Sequence, residues 1–139
     1  ETERRLGSQH PIFVGDRLDT DILGAFNTQM DSLFVFTGAH GVRDLVEAVP
    51  QERPTHLGYD VRALLAPVRR ATVDGLVARC GEQKVRLIDG ALELEEILPG
   101  RDEQLDVLWA ALQLLWKLSD DGGLTPESWA PLQGLDTLH

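Results

Sequence analysis

The sequence predicts an α/β fold: a parallel sheet with crossover helices, followed by a small α+β segment. Three observations carry this. Short β-branched and aromatic runs alternate with helically spaced ones through residues 12–65, and strand–helix–strand–helix–strand order implies parallel strands. After Pro67-Val68-Arg69-Arg70 the pattern changes to β-rich runs and then one long amphipathic run. The charge changes as well. Residues 1–70 hold 8 basic and 10 acidic side chains, a net of −2, whereas residues 71–139 hold 5 and 13, a net of −8. Such asymmetry separates two segments with different roles, placed at 1–68 and 69–139.

The elements follow in order. Glu1-Thr2-Glu3-Arg4-Arg5 reads as the end of a helix, and no Met precedes it, so a truncated or excised piece is expected. Pro11 opens the apolar run Ile12-Phe13-Val14, a buried strand ending at Gly15-Asp16. A helix is expected over residues 20–30, with Ile22, Leu23 and Phe26 on its apolar face and Asp19 or Thr20 as N-cap. Residues 32–36 form a second strand, 42–49 a second helix, 55–60 a short third strand and 61–65 a last helical turn. Loops after parallel strands gather at one sheet edge, where open α/β sheets place ligands. In the second segment, residues 72–80 and 84–88 read as two antiparallel strands joined by Gly81-Glu82-Gln83. Residues 102–118 form the clearest helix, with Leu105, Leu108, Trp109, Leu112, Leu115 and Trp116 in one stripe. Asp121-Gly122-Gly123 ends it, and Thr125-Pro126-Glu127 starts another helix.

Composition excludes several classes. The 139 residues, 42% hydrophobic and 26% charged, match a globular domain, and no stretch approaches the ~18 apolar residues of a membrane span. A net charge of −10 argues against a nucleic-acid partner. No signal peptide is visible. Cys80 is the only cysteine, which excludes an internal disulfide and a multi-cysteine zinc site and fits a cytoplasmic location.

The segment Val14-Gly15-Asp16-Arg17-Leu18-Asp19-Thr20-Asp21-Ile22 carries the chemistry. A buried strand delivers Asp16 to the sheet edge, and Asp21 follows at the start of the next helix. Gly15 permits close approach of a ligand. Carboxylates in one tight loop suit magnesium, which takes one or two of them together with phosphate oxygens and water. Each acid also has a purely structural role open to it: Asp19 and Asp21 as helix caps, Asp16 as the close of a turn.

That run resembles the fourth motif of haloacid-dehalogenase (HAD) superfamily phosphatases, and is similar to subclass IIA, the NagD-like group of phosphoglycolate, glycerol-phosphate and p-nitrophenyl phosphatases. Gly24-Ala25, the run Ser32-Leu33-Phe34-Val35-Phe36-Thr37-Gly38, and Arg53-Pro54-Thr55-His56 with Leu64-Leu65 extend the resemblance over about residues 1–67. Residues beyond are similar in pattern to a C-terminal extension on some bacterial glycerol-phosphate phosphatases. The resemblance implies the C-terminal part of a Rossmann-like HAD sheet, with Asp16 binding Mg2+ directly and Asp21 binding it through water or orienting the site. It implies a small phosphorylated metabolite as substrate. Asp19 varies in the family and is not assigned as a ligand.

The departures are as informative. The family's first motif supplies an Asp nucleophile and an Asp general acid/base two residues apart on a strand. Only Asp19-Thr20-Asp21 has that spacing here, and it belongs to the fourth motif. The Ser or Thr and the Lys of the second and third motifs have no counterpart. Without the attacking carboxylate, covalent catalysis at phosphorus cannot proceed, so the 139-residue chain is expected to be inactive alone.

Other candidates carry less. Thr37 and His40 follow the second strand on the edge that holds Asp16, as candidate substrate contacts. His10, His40, His56 and His139 have no zinc-ligand spacing. Cys80 lacks a neighbouring activating base and reads as a small core residue. Asp74-Gly75 is a lone acid before a Gly. Glu93, Glu95 and Glu96 read as a solvated face, which with Asp89 offers cation ligands. The competing function class is a non-catalytic acidic module that binds or regulates a protein partner. If the chain folds alone, the unpaired edge of the strand at residues 12–14 predicts a homodimer or strand exchange.

Overall fold

A computed structural model describes residues 2–6, 10–36, 40–94 and 100–135, with residues 2–6, 10 and 11 given by their backbone alone. Thr37, Gly38, Glu95, Glu96 and His139 lie outside the described residues, as does the side chain of His10. The chain forms two compact units, Glu1–Val68 and Arg69–His139.

The first unit is a four-stranded sheet in the order β1-β2-β3-β4, with β1 at Thr2–Leu6, β2 at His10–Gly15, β3 at Asp31–Val35 and β4 at His56–Gly58. β2, β3 and β4 run parallel, as the alternation predicts, with Ile12 opposite Asp31 and Leu33 opposite His56. β1 corrects the expectation of a helix end. It runs antiparallel to β2 from Thr2↔Val14 to Leu6↔His10 and occupies the edge of β2 that was expected to be open. Ladder hydrogen bonds to a neighbouring strand override a charged sequence with weak local preference.

The strands bury both faces. Ile12, Val14, Leu33 and Val35 form one cluster, over which Ala63 and Leu64 pack. Phe34 alternates to the opposite face and is fully buried. Helix α1 covers only Leu23–Asn27 and is preceded by a wide helical turn, Leu18–Ile22. The expected N-cap is corrected. Arg17 holds that position without a side-chain cap, and Asp19 and Thr20 lie inside the turn. The buried face is Leu18, Ile22 and Ala25, while Phe26 is 51% exposed. The helix stops three residues early because Gln29 takes a positive φ of 59° and the Thr28 hydroxyl donates back to the carbonyl of Gly24 at 3.0 Å. Helix α2, Val42–Val46, starts where the Gly41 N–H donates to the Asp44 carboxylate at 2.8 Å, and it buries Val42, Leu45 and Val46.

The second unit is an antiparallel meander, β5-β6-β7-β8, at Ala71–Asp74, Val77–Cys80, Gln83–Ile88 and Ala91–Leu94. The expected single strand over 72–80 is itself a hairpin, turned at Gly75 with φ +63°. Asp89 and Gly90, both at positive φ, make the two-residue turn into β8. Glu93 pairs with Arg86 at 3.0 Å across the ladder, which accounts for it without a cation.

Helix α3, Arg101–Asp120, packs on β5, β6 and β7. All six residues of its expected stripe are buried, and Trp109 meets Trp116 edge to face at 5.8 Å. It ends in a Schellman motif: the Gly123 N–H donates to the Leu118 carbonyl and the Gly122 N–H to that of Ser119. Helix α4, Pro126–Trp129, starts at Thr125, whose N–H donates to the Ser128 hydroxyl at 3.1 Å. Among the described residues no helix is long and apolar enough to cross a membrane.

Candidate functional site

The carboxyl edge of the parallel strands collects Asp16 after β2, His40 in the loop after β3, and Tyr59 and Asp60 after β4. Asp16 is half-buried directly beyond Gly15, so its position is set by a strand whose Val14 is 5% exposed. The chain then turns through Leu18–Ile22, closed by donation from the N–H groups of Asp21 and Ile22 to the Arg17 carbonyl at 3.1 and 3.2 Å.

This wide turn folds Asp21 back over the strand end. The Asp21 carboxylate accepts the Arg17 N–H at 3.3 Å. A Cβ on Gly15 would overlap Asp21 Cβ, Cγ and Oδ2, so the space that Gly15 leaves is filled by this carboxylate. Asp16 and Asp21 are thereby brought to the same end of β2. Asp19 is turned away and exposed, paired with Arg17 at 3.0 Å, and that hydrogen bond with its charge holds the Asp19 carboxyl below its ordinary value.

His40 also reaches this turn. Its Nδ1 accepts the Leu18 N–H at 2.9 Å, linking residues 22 apart in sequence. No spacing pattern in the sequence reports that contact. Asp60 is taken up locally: it caps the turn Val61–Leu65 by accepting the Arg62 N–H at 2.8 Å and pairs with the Arg62 guanidinium at 2.7 Å. Tyr59 lies against Phe36, ring centres 6.3 Å apart. At the opposite end of the strands, Ser32 and Thr55 exchange hydrogen bonds that tie β3 to β4, and His56 joins them.

Two carboxylates on a strand end, one held by its own turn, fit the one or two that magnesium takes from protein. Among the described residues no group of three or more His, Cys, Asp or Glu side chains is placed to hold a metal. What the first unit offers is thus two carboxylates at one strand end, fewer than a full set of metal ligands.

The sequence profile of the HAD-hydrolase-like family matches residues 2–64. The chain is similar to D-glycerol 3-phosphate phosphatase of Mycobacterium tuberculosis, with 51% identity over 53 residues, 38% of this chain and 15% of the relative. Among solved structures it is similar to glycerol phosphate phosphatase from the same organism in complex with magnesium (30% identity, TM-score 0.54), covering 76% of this chain and 30% of that one. The calcium complex matches at 29% identity and TM-score 0.52, covering 76% and 31%. The chain therefore spans less than a third of the length of each of these relatives. A match over 76% of the chain is longer than the first unit, Glu1–Val68, so the structural likeness extends into residues past 68.

Proposed function

We propose that this chain is part of a magnesium-dependent phosphoric monoester hydrolase of the NagD-like subclass, acting in the cytoplasm on a small phosphorylated metabolite, glycerol phosphate first among them. Residues 1–68 are the C-terminal portion of the hydrolase core and 69–139 its extension. The observation that carries this reading is the fit of the Asp21 carboxylate into the space beside Gly15 at the end of the strand that delivers Asp16. The likeness to glycerol phosphate phosphatase supports the substrate class. The lone, reduced Cys80 supports the compartment.

In this reading Asp16 and Asp21 hold Mg2+, which when bound offsets the negative charge of the phosphoryl oxygens. The Arg17–Asp19 pair keeps a third carboxylate out of the coordination shell. Gly15 lets the turn close on the strand, and His40 and Thr37, which follow β3 in the sequence, are the candidates for substrate contacts. No residue of the chain supplies the attacking carboxylate, so the 139-residue chain binds metal without turning over. A stand-alone acidic binding module is the weaker reading, because the likeness to an intact phosphatase continues past residue 68.

The test uses the 139-residue chain with Mn2+ as a paramagnetic stand-in for Mg2+. Amide resonances of residues 16–21 are expected to broaden, and Asp16→Asn to abolish the effect. No phosphate should be released from glycerol 3-phosphate. Phosphate release that is lost in Asp16→Asn would show the chain to be active alone; absence of broadening would overturn the metal assignment.

A further inference from the structure

We propose that His40 is a positioning residue: by accepting the Leu18 N–H through Nδ1, it fixes the turn that carries Asp16 and Asp21. The proposal rests on the metal reading above and adds a residue that the fourth-motif run does not contain. Leu18 lies two residues after Asp16 and three before Asp21, and its side chain is 2% exposed. The opening N–H groups of a helical turn have no acceptor within it. Arg17, at the cap position, offers the turn no side-chain cap. A polar group left unmet here would be costly. The acceptor comes instead from the loop after β3, at 2.9 Å.

The consequence is geometric. Two successive N–H groups of the turn are held by side chains: that of Arg17 by Asp21, and that of Leu18 by His40. The first bond orients one proposed ligand, and the second ties the turn to the neighbouring loop of the sheet edge. With Nδ1 accepting, the neutral ring carries its proton on Nε2. His40 thus joins the loops after β2 and β3 into one unit, and the separation of Asp16 from Asp21 depends on a residue beyond the motif.

Two variants separate the acceptor from the ring. His40→Phe keeps an aromatic ring and removes the acceptor, while His40→Asn removes the ring and offers Oδ1 close to where Nδ1 stood. Hydrogen exchange of the Leu18 amide and Mn2+ affinity are measured by NMR on the 139-residue chain. His40→Phe should speed exchange of Leu18 about tenfold and weaken Mn2+ binding roughly three- to tenfold, the worth of one net hydrogen bond. His40→Asn should stay near the unsubstituted chain in both. Unchanged Leu18 exchange in His40→Phe overturns the proposal, and so does His40→Asn behaving like His40→Phe, which would leave only ring packing. If Leu18 exchange responds but Mn2+ broadens nothing near Asp16 and Asp21 in any variant, the metal reading fails. His40 then holds the turn for folding alone, and its positioning role is overturned.

Discussion

Cys80 is buried at 2% exposure, and its thiol donates to Asp106 Oδ1 at 3.5 Å. The same carboxylate oxygen accepts from Arg69 Nε at 2.7 Å, so thiol and guanidinium share one acceptor. Burial first, and then the charge and hydrogen bond of Asp106, push the Cys80 thiol up to about 12, with Arg69 opposing. The thiolate is the nucleophile, so alkylation of the folded chain by iodoacetamide at pH 8 should be far slower than in denaturant. The sign of the linkage follows from the same numbers. An unfolded thiol ionises near 9.0 while the folded one keeps its proton to about 12, so stability is full below pH 9 and falls as pH rises to 12. Urea denaturation at pH 8, 9.5 and 11 should show the fall, and Cys80→Ala should flatten it; an equal slope in both proteins would refute the assignment. That Cys80 is an inert core residue was readable from the lack of a neighbouring base. Its partner Asp106, 26 residues on, was not, because helical periodicity marks Asp106 only as a break in an apolar run.

At the scale of elements, the joint between β2 and the turn Leu18–Ile22 decides the site. Gly15 is there because a Cβ would overlap the Asp21 side chain. Gly24, inside α1, has open space around it. Gly15→Ala should therefore cost about 1–3 kcal/mol and displace Asp21, removing Mn2+ broadening at residues 16–21. Gly24→Ala should be neutral or stabilise by about 0.4–1 kcal/mol, with Mn2+ broadening intact. Equal metal binding by both variants would refute the role of Gly15. Short apolar runs of β-branched and aromatic residues mark β2 and β3, and the apolar stripe at helical spacing marks α3. The missed elements had other causes. Gly75 sits inside a run of β-forming residues, yet its positive φ turns the chain, and Asp89-Gly90 makes the turn into β8 with no long apolar run after it. β1 carries no apolar alternation; its pairing with β2 decides its state. The π-type opening of the turn, which moved the cap from Asp19 to Arg17, leaves no mark in residue spacing.

At the scale of the molecule, two cores imply two responses. Ile12, Val14, Leu33 and Val35 close one core in Glu1–Val68, while α3 with β5, β6 and β7 closes another in Arg69–His139. Trp109, Trp116 and Trp129, all three tryptophans of the chain, lie in the second unit, and Tyr59, the single tyrosine, lies in the first. Tryptophan fluorescence thus reports the unit without the proposed metal loop, and Tyr59 reports the unit with it. A ligand that binds only the folded state raises its stability by mass action, by about 2.7 kcal/mol at a hundredfold excess over Kd. Saturating Mg2+ should therefore raise the thermal midpoint followed at Tyr59, by NMR, and leave the tryptophan midpoint in place. Asp16→Asn should cancel the Tyr59 shift while both baselines stay native. A tryptophan midpoint that rises together with that of Tyr59 would mean that the units unfold as one cooperative body. A Tyr59 midpoint indifferent to Mg2+ would place the metal elsewhere than at the end of β2.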